Sequence, residues 1–268
     1  MPQDFVVRAI LAAARRLPGY PNLSVLDVSC GRGEILAALA RDGCRVRGTH
    51  YRGDDYKLTE QRGPIETAGL PIDPDVDLMR TLPYGDGAFD VVILSEVAEH
   101  LPEYRTVVWE AGRVLAPGGF LILSTPNLAR LHSRLRFFWT GTHKLIRRRV
   151  GWDLSPDTLY AYHTNPVDFP LLHTLLFQAG LFVERLGFTR FKWKHGWLLV
   201  LYPFVWLATR VTTSRRHTGE LHARGERDLF RWMVHPAMLA SEQLLLIARK
   251  GPATGKARNP KLETNPKP

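Results

Sequence analysis

Cysteine is scarce in this sequence, with only Cys30 and Cys44 among 268 residues. That excludes a small disulfide-built scaffold, and free thiols in a reducing compartment are the plain expectation. Long apolar runs are also missing. The stretch Trp197–Thr209 (WLLVLYPFVWLAT) is uncharged but interrupted by Pro203. It falls short of the roughly 20 residues a membrane-crossing helix needs. Residues 1–17 lack both a continuous apolar core and a small-residue cleavage site, so no signal peptide is expected. Instead Phe5, Val6, Ala9, Ile10, Ala13 and Leu17 recur at helical spacing and predict an amphipathic leading helix. No internal repeat is visible. Acid is scarce in the second half: residues 126–268 carry 23 Lys+Arg against 9 Asp+Glu, a net of +14. Residues 1–125 carry 13 against 17, a net of −4, and the two halves sum to +10. Any anionic partner is to be sought in the second half.

What is present is the composition of a globular protein, 45% hydrophobic and 23% charged. The length suits one α/β domain with insertions. Strands are expected at Ser24–Val28, Cys44–Thr49, Phe89–Ser95 and Phe120–Thr125, alternating with helices at Glu34–Arg41 and Glu103–Leu115. The runs FDVVILS and FLILST are short, apolar and β-branched, which suits strands buried on both faces. Pro117, Gly118 and Gly119 should stop the second helix. This alternation predicts a doubly wound α/β sheet with helices on both faces. Farther on, a helix is expected over Pro166–Ala179, with Asn165 as N-cap and Gly180 just past its end. Strands follow at Leu181–Gly187 and Gln243–Arg249, separated by an insertion from Phe188 to Pro236. Residues 251–268, rich in Pro, Lys, Asn and Gly, read as a disordered basic tail.

The segment Val25–Glu34 (VLDVSCGRGE) is a strand, a glycine turn and a helix start. Such a turn lets backbone approach a ligand closely, and the helix N-terminus favours a carboxylate. Downstream come Asp77-Leu78, then LPYGDGAFDVV over residues 82–92, SEVAEHL over 95–101, and RVLAPGG over 113–119. With these runs in this order, the chain resembles the class I S-adenosylmethionine-dependent methyltransferases, within a bacterial group similar to the ubiquinone-type O-methyltransferases. The resemblance extends from Leu23 to Asn127 and resumes over His163–Glu184. It implies a Rossmann-like, doubly wound seven-stranded sheet whose last strand is antiparallel, in a single domain over residues 1–250. It also implies S-adenosylmethionine as cofactor. By position, Asp27, Gly31 and Gly33 would line its methionine end, Asp77 and Leu78 would meet its adenine, and Ser95 would lie beneath the methyl group. Two positions depart from the family. Ser29 stands where the first glycine of the turn is expected, and His50 where an acidic residue grips the ribose, with Asp54 or Asp55 as substitutes.

A methyl acceptor with a hydroxyl must lose its proton, and His100, at the carboxyl end of the fourth strand, is the candidate base. Glu96, Glu99 and His100 form an E-x-x-E-H set; on a helix they would share a face. Within the family this pattern serves in some members as a metal site completed by a later histidine, here His163. In others Glu99 orients the loop, and that reading, without a metal, is the one taken here. Asn127 reads as a helix N-cap with a substrate-side role as the alternative.

The basic half mixes charge with apolar bulk. Arg130–Val150 interleaves Leu131, Leu135, Phe137, Phe138 and Trp139 with bases. Residues 190–216 flank Trp197–Thr209 with Arg190, Lys192, Lys194, Arg210, Arg215 and Arg216. Insertions over about 128–160 and 188–236 would form a substrate-side lid. Three readings compete: docking on an anionic membrane surface, ordinary packing with a solvated basic face, and nucleic-acid binding. A continuous aliphatic run suits lipid better than RNA. The expectation is O-methylation of a small, lipid-like or glycan-like acceptor, in the cytoplasm at the inner membrane face. Metal-dependent RNA 2′-O-methylation and a catalytically silent, membrane-associated cofactor-binding subunit are the alternatives.

Overall fold

A computed structural model of the chain describes residues 4–51, 69–143, 165–213 and 220–252. Seven strands form one sheet: β1 (Ser24–Val28), β2 (Arg45–Thr49), β3 (Ile72–Asp73), β4 (Phe89–Ser95), β5 (Leu115–Pro126), β6 (Leu181–Gly187) and β7 (Gln243–Lys250). Their order across the sheet is β3-β2-β1-β4-β5-β7-β6. Neighbours from β3 to β5 pair in parallel, while β7 is antiparallel to both β5 and β6. The doubly wound sheet is the architecture that the strand–helix alternation predicts, and the antiparallel last strand is the one that the family resemblance implies.

Side chains alternate across each strand, so successive residues feed opposite layers. Val92, Leu94, Leu121 and Leu123 pack on one side, with helices α3 (Arg105–Val114) and α5 (Phe169–Gln178). Val91, Ile93, Phe120 and Ile122 pack on the other, with α1 (Asp4–Ala14) and α2 (Glu34–Arg41). Burial on both faces is why these strands read as continuous apolar runs. The leading helix is there because Val6, Ile10 and Ala13 fill the second of these layers.

Three expectations need correction. Helix α3 stops at Val114, and Leu115–Gly119 already belong to β5, Leu115 pairing with Phe89. Gly119 is needed for this, since a Cβ there would lie 2.8 Å from the Asp90 carbonyl oxygen. Helix α5 begins at Phe169, not Pro166, and Asp168 rather than Asn165 caps it by accepting from the Leu171 N–H at 3.2 Å. Asn127 is no N-cap. It is buried, donates to the carbonyls of Met238 and Ser241 at 2.7 and 3.0 Å, and accepts from the Ala129 N–H.

Two excursions leave the sheet. After β5 comes α4 (Leu131–Thr140). After β6 come a 3-10 stretch (Trp193–Leu201), then α6 (Tyr202–Thr213), α7 (Glu220–Met233) and α8 (Pro236–Ala240), before β7. Because β7 opposes both neighbours, β6 runs with β5, and both excursions start at the carboxyl edge of the sheet. Among the described residues no helix is long and apolar enough to cross a membrane. Most of the basic tail expected over 251–268 lies outside the described residues, as do 144–164.

Candidate functional site

Strain marks the carboxyl edge. Among the described residues, three non-glycine positions have positive φ: Ser29 at 54°, Asp75 at 54° and Glu96 at 57°. They follow the ends of β1, β3 and β4. A left-handed non-glycine residue costs roughly 1–2 kcal/mol, and such outliers gather where a ligand site over-determines the backbone. This is also the edge where open α/β sheets bind ligands.

The turn after β1 is built by its neighbour. Thr49, at the end of β2, accepts the Ser29 N–H through Oγ1 at 2.9 Å and the Cys30 N–H through its carbonyl at 2.9 Å. Gly31 and Gly33 have φ of 53° and 70°. A Cβ built on Gly31 would touch nothing within 4 Å, so the turn opens onto free space. Gly33 caps α2 without any side-chain hydrogen bond to the first-turn N–H groups. Those N–H groups and the positive end of the helix suit a carboxylate. Asp27, 1% exposed at the end of β1, adds a carboxylate below the turn. An α-amino acid moiety with its ammonium and carboxylate fits this donor and acceptor set.

The other predicted cofactor residues are placed as follows. His50 is buried directly after β2, with Nε2 3.2 Å from the Gly31 carbonyl, so it braces the glycine turn. Asp77 is largely buried; its Oδ1 accepts the Met79 N–H at 3.0 Å and its Oδ2 lies 3.3 Å from Arg80. The Leu78 side chain belongs to the core at 1% exposure, which leaves only its backbone to meet a ligand. Ser95 ends β4. Asp54 and Asp55 lie outside the described residues.

Beyond Ser95 stands a pair of carboxylates. Glu96 accepts from Ser124 Oγ at 3.0 Å and from Gln243 Nε2 at 2.8 Å. Glu99 is fully buried and accepts from Thr125 Oγ1 at 3.0 Å, while its Oε1 has no hydrogen-bond partner among the described residues. Burial pushes the Glu96 carboxyl up to about 7. Burial, reinforced by the Glu96 charge, holds Glu99 well above the usual carboxylate range. The two titrate as a pair, because the charge on one opposes the charge on the other.

The local geometry differs from a shared helix face. Ala98–His100 is one 3-10 turn, and Glu96 stands before it in a left-handed conformation. The pair meets all the same, brought together by the ends of β5 and β7. His100 closes the turn, half-buried. His163 lies outside the described residues, and among those described no group of three or more His, Cys, Asp or Glu is arranged to hold a metal.

Sequence reading missed Thr49, Ser124, Thr125 and Gln243. The polar pair ending the apolar run FLILST was a usable sign for Ser124 and Thr125. Gln243 gave none, because its partner is 147 positions away.

A seven-stranded sheet of this order, with a glycine turn after β1 and an acidic turn after β4, defines a Rossmann-like fold. Residues 26–123 match a family model described as a methyltransferase domain. With the fold, this supports a class I S-adenosylmethionine-dependent methyltransferase domain over these residues, with S-adenosylmethionine as cofactor. Its relatives are particular. A ubiquinone biosynthesis O-methyltransferase from Cronobacter sakazakii is 29% identical over 172 residues, covering 58% of this chain and 70% of that protein. Its namesake from Psychrobacter arcticus is 35% identical over 171 residues, covering 56% and 65%. These alignments span about two thirds of the relatives' length. A solved structure of a proposed methyltransferase from Bacillus halodurans superposes with a TM-score of 0.53 at 22% identity, covering 93% of this chain and 99% of that one. That likeness speaks for the fold.

Proposed function

We propose that the chain transfers a methyl group from S-adenosylmethionine to an oxygen of a small, lipid-like or glycan-like acceptor. The cofactor supplies an electrophilic methyl group. The chain's residues align the acceptor and take its proton. His100 takes that proton, and the Glu96–Glu99 pair beside it sets the local charge. Asp27, Ser29, Gly31, Gly33, His50, Asp77, Leu78 and Ser95 hold the cofactor. The observation that carries this reading is the buried carboxylate pair in the acidic turn after β4, on the same sheet edge as the glycine turn. Perturbed acids clustered at a ligand edge mark acid–base sites. The names of the relatives support an O-acceptor, and the apolar excursions on the same edge favour the lipid-like class.

Calorimetry with S-adenosylhomocysteine, followed by transfer of labelled methyl to a prenylated catechol and to a glycolipid, tests the proposal. His100→Ala is expected to bind S-adenosylhomocysteine unchanged and to lose roughly 10²-fold or more in turnover. No heat at millimolar ligand would remove the cofactor site. Full turnover in the variant would remove the role of His100, and binding without any transfer would leave a silent subunit.

A further inference from the structure

We propose that α4, the 3-10 stretch and α6 together form a docking surface for an anionic lipid bilayer. The three elements meet on one small core, where Leu131 and Leu135 of α4 pack with Leu198 and Leu201 of the 3-10 stretch and Val205 of α6. Their outward side chains therefore belong to one lobe. On α6 the inward positions are Leu201, just ahead of the helix, Val205 and Thr209. The opposite stripe, Phe204, Leu207, Ala208 and Val211, is exposed and wholly apolar. An exposed apolar helix face of this length on a globular protein marks an interaction surface. On α4, Phe138 and Trp139 are 75% and 74% exposed, their rings meeting edge to face. Trp197 and Val200 of the 3-10 stretch are exposed as well.

Charge identifies the occupant. Residues 128–151 and 188–219 contain no Asp or Glu, but many Lys and Arg. At the foot of the lobe, Arg190 and Lys192 ion-pair with one carboxylate, Glu242. Arg130 adds a third cation close enough to lower the Glu242 carboxyl further. Arg130 is 7% exposed, and its Nε has no hydrogen-bond partner among the described residues. Burial lowers its basicity, and the nearby Glu242 charge offsets part of that effect. Arg130, Lys192 and Phe191 line a cleft with Leu198 and Leu199. Arg190, with about half of its side chain exposed, offers a phosphate headgroup a cation at the foot of the lobe. Apolar and aromatic tips among bases, on three elements that carry no acid of their own, match the boundary of an anionic bilayer. The lobe also sits on the sheet edge that carries the methyl-transfer site, so docking would present that site to an acceptor held in the membrane.

The docking surface lies outside the methyl-transfer site, and either can fail without the other. The test is co-sedimentation of the full chain, without cofactor, with phosphatidylcholine vesicles and with vesicles containing phosphatidylglycerol. Partitioning should be roughly tenfold stronger on the anionic vesicles and should fall as salt screens the attraction. The double variant Phe138→Ser/Phe204→Ser should bind anionic vesicles about tenfold more weakly, with unchanged thermal melting, because both side chains are mostly exposed. In the unmodified protein, lipids brominated along the acyl chain should quench tryptophan emission, and Trp139→Phe/Trp197→Phe should lose most of that quenching. The proposal is overturned if the chain stays in the supernatant, if the serine variant binds as well as the original, or if quenching is absent. A dimer abolished by the same serine substitutions would instead assign the surface to a second copy. Competition by a single-stranded RNA at lower concentration than lipid would assign it to nucleic acid.

Discussion

Glu96 concentrates the cost of the site in one residue. It holds a left-handed backbone with φ of 57°, and its carboxyl is pushed up to about 7 by burial. The unfolded chain binds this proton only below the ordinary value of 4.5. Between about 4.5 and 7 the native state therefore holds more protons than the unfolded state, and stability falls as pH rises through that window. Below it the contribution is fully present; above it the penalty is complete. Glu96→Gln removes this carboxyl from the pair and relieves the charge opposing Glu99, while keeping a polar partner for Ser124 and Gln243. Stability measured by urea denaturation should then decline less between pH 5 and 8, by up to roughly 3 kcal/mol at about 1.4 kcal/mol per pKa unit. An unchanged pH profile would mean that Glu96 titrates normally. Ser29 shows the same trade at the glycine turn, where Thr49 holds its N–H and so fixes a conformation that glycine would take freely.

Elements formed where local chemistry and packing agreed, and shifted where a residue had a better use elsewhere. Asn165 and Pro166 have the form of a helix start. Yet the Asn165 N–H donates to the Glu99 carbonyl at 3.0 Å, and its Nδ2 donates to the Leu101 carbonyl at 3.2 Å. Asn165 thus holds the acidic turn in place, and capping of α5 passes to Asp168, with Pro170 in the first turn. Asp168→Ala should lower the unfolding free energy by about 1 kcal/mol in denaturant titrations. Loss of activity far beyond that change in stability would indicate a role other than capping. The opposite shift occurs at Leu115–Gly119, where pairing with the neighbouring strand outweighs Pro and Gly as breakers.

At the scale of the molecule, one buried residue joins the sheet to the lobe. Asn127 leaves β5 and clasps the carbonyls of Met238 and Ser241, where the second excursion returns to β7. Asn127→Ala leaves two buried carbonyls without that donor, at a cost of roughly 2–3 kcal/mol. Hydrogen exchange should quicken first around Leu239–Gln243, while β1 and β4 stay protected, because the ladders of those strands run to β2, to each other and to β5. Uniform acceleration over the whole sheet would show instead that the two parts open as one.

Much of this protein is legible from sequence alone, for a physical reason. A strand buried on both faces reads as a short apolar run, so β1 and β4 could be bounded from the runs themselves; the half-exposed β6 and β2 were bounded by their flanking glycines and turns, β2 to within one residue. A turn that needs left-handed backbone must carry glycine, so the cofactor turn announced itself, as did the alternation that gives the doubly wound sheet. Tertiary structure decided everything that depends on strands meeting across the chain. The partners of Glu96 come from β5 and β7, the cap of α5 moved because the acidic turn claimed Asn165, and His50 turned to brace Gly31. The same holds for the apolar stripe of α6. Periodicity marks a helix with an apolar face, but only packing shows that one such face was left outside.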